Sequence, residues 1–177
     1  MHRPNLAAFI LLLVNIVTIQ FLGVINSTLG NWGCLLYLPA LFFFTATVLL
    51  DRVRVICVLA LTGFSLDSIY NTPSGFHTFA LISCYLIAKD WLHSGENGEL
   101  LRPYFLQVIA NLLISTGLIV VLKFHRGLLG TWATPNIVVD IFASTLLFAL
   151  IAPWYSGLCK ELLKVTYSSQ EINGVEG

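Results

Sequence analysis

Charge is what this chain has least of. Nine lysines and arginines and nine acidic residues are spread through 177 positions, about 10% of the chain, where a soluble domain carries roughly 25%. With 57% of its residues hydrophobic, the chain has too few charges to cover a fold in water, so its solvent must be largely lipid. A net charge of zero removes the basic surface that a nucleic-acid partner would need. Cysteine is sparse as well. Cys34, Cys57, Cys84 and Cys159 form no CxxC pair, so small buried apolar residues are expected rather than a metal or redox site. GxSxG, HExxH and a phosphate-binding glycine loop are all missing. No nucleophile–base arrangement is legible, and neither an enzyme nor a cofactor is expected. Asn26-Ser27-Thr28 matches a glycosylation sequon, but it abuts an apolar segment.

What is present is a series of continuous apolar runs, such as Leu41-Phe42-Phe43-Phe44. Barrel strands would alternate apolar and polar residues, so the runs predict an all-α protein, a bundle of six transmembrane helices. His2 and Arg3 precede the first run as in a signal peptide, but the run covers 6–25, and no small-x-small cleavage site follows. It reads as a retained helix of about 30 Å. A polar turn over 26–32 leads to a second segment at 34–50, stopped by Asp51-Arg52-Val53-Arg54. The third covers 55–69 and the fourth 76–88, joined by Asn71-Thr72-Pro73-Ser74-Gly75, with Thr72 expected as a cap and Pro73 at the first helical position. A hydrophilic loop at 89–102 precedes the fifth segment, 103–122. A link over 123–134 contains Trp132 as an interface anchor, and the sixth segment runs from 134 to about 154. The domain is expected to be 1–167, and 168–177 a polar, disordered tail.

Six crossings put Arg3, Arg52, Arg54, Lys89, Arg102, Lys160 and Lys164 on one side and only Lys123 and Arg126 on the other. The excess marks the cytoplasmic face, so both termini are expected there.

Polar residues within the runs fall on helical faces. Gln107, Asn111 and Ser115 recur every four residues in the fifth segment, Asn136, Asp140 and Ser144 do so in the sixth, and Asn15 and Thr18 are three apart in the first. The simplest arrangement turns these stripes inward to bond one another. They either specify packing or line a pocket. Asp67 and Asp140 are the costly groups, because a carboxylate at mid-membrane costs about 2.5–3.5 kcal/mol on insertion scales. An antiparallel hairpin would let His77 donate to Asp67, unless His77 faces interfacial water instead, while Asp140, close to Pro135, has water within reach.

Gly63-Phe64-Ser65-Leu66-Asp67, followed by Thr72-Pro73-Ser74-Gly75-Phe76-His77-Thr78-Phe79-Ala80-Leu81, resembles the signature of the bacterial rod shape-determining MreD family. The matching positions are Gly63, Leu66, Asp67, Pro73, Gly75, His77, Ala80 and Leu81; Asn71 stands where that family commonly has Gly. The resemblance implies a non-catalytic inner-membrane subunit of the cell-wall elongation machinery. Its partners would be MreC-like and MreB-like proteins and a wall synthase of the SEDS type with its penicillin-binding partner. The MreD family is also similar in fold to the S-components of energy-coupling-factor vitamin transporters. That likeness supplies an alternative, a vitamin pocket lined by the polar stripes with Trp32, Tyr70, Asp67 and His77 near its mouth. S-components often dock their coupling subunit through small residues four apart on the first helix. Here Ala7 and Ala8 are followed at that spacing by Leu11 and Leu12.

Overall fold

The computed structural model describes residues 3–32, 35–93, 101–126 and 134–173. Among them there is no strand. Six α-helices follow in order: α1 Arg3–Leu29, α2 Ala40–Leu49, α3 Arg52–Tyr70, α4 Phe76–His93, α5 Leu101–Arg126 and α6 Thr134–Asn173. A 3-10 turn, Gly30–Trp32, follows α1. The fold is therefore all-α. Three helices are long and apolar enough to cross a membrane: Asn5–Leu29 in α1, Arg52–Tyr70 in α3 and Val139–Lys164 in α6. Among the described residues the apolar parts of the others are shorter, Ala40–Leu49, Phe76–Lys89 and Phe105–Val121.

The surface is more apolar than the interior in places where a soluble protein would be the reverse. Phe79, Ile87, Phe142 and Trp154 are 76%, 75%, 71% and 82% exposed, while Asn15, His77, Gln107 and Asn111 are buried. That inversion suits an outer solvent of lipid and an interior stabilised by helix packing and hydrogen bonds. The core is built around Phe42, Phe43, Leu59, Leu81 and Phe148.

Two predicted segments depart from expectation. The second is not a continuous helix. Residues 35–38 are non-helical, and the helix starts only at Ala40, after Pro39. Proline lacks the N–H that an upstream turn would need, and its fixed φ of −65° opens α2 instead. Every residue from Ala40 to Thr47 is buried, so α2 is the central element rather than one wall of the bundle.

The sixth segment does not stop near Trp154. Pro153 lies inside α6, which continues to Asn173, so the backbone of 168–173 is helical where a disordered tail is expected. Burial of Tyr155, Cys159 and Leu163 along one face carries the helix past the single backbone bond that proline forfeits. The expected loop at 89–102 and link at 123–134 are helical in part, because α4 runs on to His93 and α5 covers Leu101–Arg126; residues 94–100, 127–133 (with Trp132) and 174–177 lie outside the described residues. Of the cysteines, Cys159 is buried and Cys84 half-buried, but Cys57 is exposed, facing outward from α3 rather than into the core. Cys34 lies outside the described residues.

Candidate functional site

The hairpin between α3 and α4 concentrates the polar groups. It begins with a close approach. A Cβ built on Gly63 would lie 2.4 Å from the Thr78 backbone nitrogen and 2.5 Å from its Cα. Only a glycine lets the two backbones meet there. The Thr78 hydroxyl uses the proximity, donating to the Ala60 carbonyl at 3.1 Å. Leu66, 1% exposed, packs into the core beside this contact.

One turn beyond Gly63, Asp67 becomes the centre of the connection. Its Oδ1 accepts from the Thr72 hydroxyl at 2.7 Å, the His77 backbone N–H at 3.1 Å and His77 Nδ1 at 2.6 Å. Its Oδ2 accepts from the Gly75 N–H at 2.6 Å. Four donors converge on one carboxylate, which is how a charge so costly in lipid is accommodated. The network assigns the His77 tautomer: Nδ1 carries the proton toward Asp67, and Nε2 accepts from the Tyr37 hydroxyl at 2.5 Å.

Local backbone chemistry delivers these groups. Asn71 ends α3 in the left-handed region, φ 49°, and its N–H returns to the Asp67 carbonyl, as does that of Thr72 at 3.2 Å. Asparagine tolerates that conformation, as glycine does. Gly75, at φ +96°, turns the chain so that its own N–H and that of His77 point at the carboxylate. Thr72 and Pro73 are not the helix start that the sequence predicts. α4 begins at Phe76, whose N–H bonds the Pro73 carbonyl, because the Thr72 hydroxyl is already committed to Asp67. A shallow cavity of about 410 Å³ opens above the carboxylate, lined by Phe64, Asp67, Ser68, Asn71, Thr72 and Ser74.

Tyr37 links the hairpin to a second polar structure. The non-helical residues 35–38 lack helical partners for their own backbone, and in a low-dielectric interior each orphan group would cost several kcal/mol. Side chains from four helices supply the partners. Asn26 of α1 pairs with Leu36 twice, accepting its N–H at 2.8 Å and donating to its carbonyl at 2.7 Å, as a neighbouring strand would. The Tyr70 hydroxyl of α3 also donates to the Leu36 carbonyl, at 3.2 Å. From α6, Asp140 accepts the Leu35 N–H at 3.2 Å, and Ser144 accepts the Tyr37 N–H at 3.0 Å while donating to the Leu35 carbonyl at 3.2 Å. From α5, Asn111 accepts the Ala40 N–H at 3.4 Å and donates to the Tyr37 carbonyl at 3.5 Å.

The inward stripes are thus accounted for differently from expectation. Among the described residues no hydrogen bond joins the α5 stripe to the α6 stripe; both serve the non-helical segment between them. Ser115 donates to the Asn111 carbonyl and Thr18 to the Val14 carbonyl, each within its own helix. Gln107 is buried with its Oε1 unpartnered. The side chain of Asn136 lies outside the described residues. Asn15 belongs to a third cluster, donating to Thr62 Oγ1 at 3.0 Å and accepting from the Tyr155 hydroxyl at 2.6 Å, which ties α1 to α3 and α6.

Two partners are not legible in the sequence: Tyr37 sits inside an apolar run, and Tyr155 lies just past the expected end of the sixth segment. Asn26 reads there as a turn residue. Pro39 was the one available sign that residues before it leave the helix. Chemically, the Tyr37–His77–Asp67 chain has the order of a catalytic relay, yet its hydroxyl end is sealed: Tyr37 is 4% exposed and His77 fully buried. The arrangement locks three elements together. Among the described residues no group of three metal-binding side chains occurs. No protein-family model, no curated protein and no solved structure matches this chain.

Proposed function

We propose that this chain is a non-catalytic subunit of the bacterial cell-wall elongation machinery, held in the cytoplasmic membrane and acting through helix contacts with other proteins. The observation that carries the reading is the Asp67 hairpin. Gly63, Asp67, Gly75 and His77, which bear the resemblance to the MreD family, act in one unit: a close helix contact, a carboxylate, and a turn aimed at it. The proposed partners are MreC-like and MreB-like proteins and a SEDS-type synthase with its penicillin-binding partner.

The alternative of a vitamin-binding S-component has less support. Asn111, Asp140 and Ser144, stripe side chains that would line such a pocket, are engaged with the chain's own backbone over 35–40. Ala7 and Leu11, the positions of a small-residue docking face, are 3% and 1% exposed and turn into the bundle. Affinity purification from native membranes in mild detergent, followed by mass spectrometry, separates the two. Wall-elongation proteins are expected among the recovered partners; ATPase coupling subunits in their place would overturn the proposal.

The membrane topology proposed with it has six crossings and both termini in the cytoplasm. The second crossing would be made by a broken element. Ten helical residues in α2 give about 15 Å, and the four non-helical residues ahead of them add at most about 14 Å, together no more than the thickness of a hydrocarbon core. Non-helical backbone at that depth is tolerated where protein surrounds it. A reporter active only in the cytoplasm is expected to work when fused between Glu96 and Glu99 or after Glu176, and to be silent at Ser27. The opposite result at any of the three sites would refute this topology.

A further inference from the structure

The exposed face of α1 carries one residue that does not belong in lipid. Leu13, Val17, Gln20, Val24 and Ser27 are all exposed, and their spacing of four, three, four and three is that of a heptad seam. Leu13, Val17 and Val24 are 51%, 59% and 67% exposed, flanked by Phe21 at 63%. Gln20 sits in the middle of this stripe. Three residues separate it from the centre of the span Asn5–Leu29, about 5 Å along the axis, well inside a half-core of about 15 Å.

Hydroxyls at comparable positions satisfy themselves on their own helix. Thr116 donates to the Leu112 carbonyl and Ser65 to the Leu61 carbonyl. The longer Gln20 amide makes no such bond. Among the described residues it has no side-chain hydrogen bond at all, so two N–H donors and a carbonyl are left in hydrocarbon.

We infer that this stripe is the interface between two copies of the chain, packed α1 against α1 across a two-fold axis normal to the membrane. The argument for a second copy is the chemistry of the amide. It is both donor and acceptor, so a two-fold axis beside Gln20 pairs each carbonyl with the other copy's N–H in one reciprocal contact. Copies inserted in the same orientation meet in parallel, as a heptad seam requires. A single polar group within an apolar seam is also the device that fixes register and stoichiometry in coiled coils.

Cysteine cross-linking in native membranes tests this. In the full-length chain with its four cysteines replaced, Val17→Cys and Val24→Cys should give oxidant-induced dimers. Their yield should exceed by several-fold that of Leu113→Cys, which lies on the exposed face of α5. Adding Gln20→Leu should lower that yield several-fold, and Gln20→Asn, which keeps an amide, should retain part of it. Because Gln20 is exposed, neither change disturbs the packed interior. Equal yields from all three cysteine positions, indifference to Gln20→Leu, or a cross-link to a different protein would each overturn the inference.

Discussion

Replacing Gly63 by alanine, the smallest change available, is expected to destabilise the protein more than any other single-methyl addition in α3. The new Cβ would lie within 2.6 Å of three Thr78 atoms, two of them backbone. Backbone atoms cannot rotate out of the way as a flexible side chain can. The contact is relieved only if α3 and α4 separate, and overpacking of this kind typically costs about 1–3 kcal/mol. Separation would also stretch the Thr78–Ala60 hydrogen bond and displace His77, one residue before Thr78, from Asp67. Glycine's backbone freedom is not the issue here, since position 63 lies within an ordinary helix; the missing side chain is. A titration with denaturing detergent on the purified variant should show a clearly lowered midpoint. Gly157→Ala is the control, because a Cβ there meets nothing within 4 Å and alanine favours the helix. If Gly63→Ala unfolds at the wild-type midpoint, the close approach of α3 and α4 is wrong.

The hairpin was legible in the sequence because its parts are close along the chain. Gly63 and Asp67 share a helical face by spacing alone, and a tight turn returns His77 to the level of the carboxylate. The cradle around residues 35–38 was not legible. Hydropathy over 34–50 is continuous, and a non-helical stretch and a helix bury leucine and tyrosine equally well. The residues that settle the matter are remote: Asp140 and Ser144 lie more than a hundred positions downstream of the backbone groups they bond. The stripes on α5 and α6 were visible as stripes, but a helical face says which way a side chain points, not what it meets. The length of α6 was hidden for the opposite reason. Pro153 is a local stop signal, and burial of Tyr155, Cys159 and Leu163 overrides it.

Changing Asp67 to asparagine is expected to be nearly as damaging, although the two side chains have the same shape. The carboxylate here only accepts: three donors meet Oδ1 and one meets Oδ2. An amide has one acceptor and one donor group. With its nitrogen toward Gly75, that N–H faces another N–H; with its nitrogen toward Thr72 and His77, three donors face it. Either orientation leaves at least one buried donor without an acceptor, at about 1–3 kcal/mol, and reduces the remaining contacts from charge-assisted bonds to neutral ones of roughly half the strength. His77 then loses the charged partner that fixes its tautomer, so the Tyr37 hydroxyl and the non-helical segment behind it are held less firmly. The competing view is that Asp67 merely ends α3, where asparagine would serve as well or better. Two measurements separate these. The variant should insert at wild-type levels, since an amide is no harder to place in lipid than a carboxylate, yet unfold at a lower detergent concentration. Thr72→Val should also be less harmful in the Asp67→Asn background than in wild type, because the hydrogen bond it removes is already weakened or lost there. Additive effects of the two substitutions, or a wild-type unfolding midpoint for Asp67→Asn, would show that the carboxylate does not organise the turn.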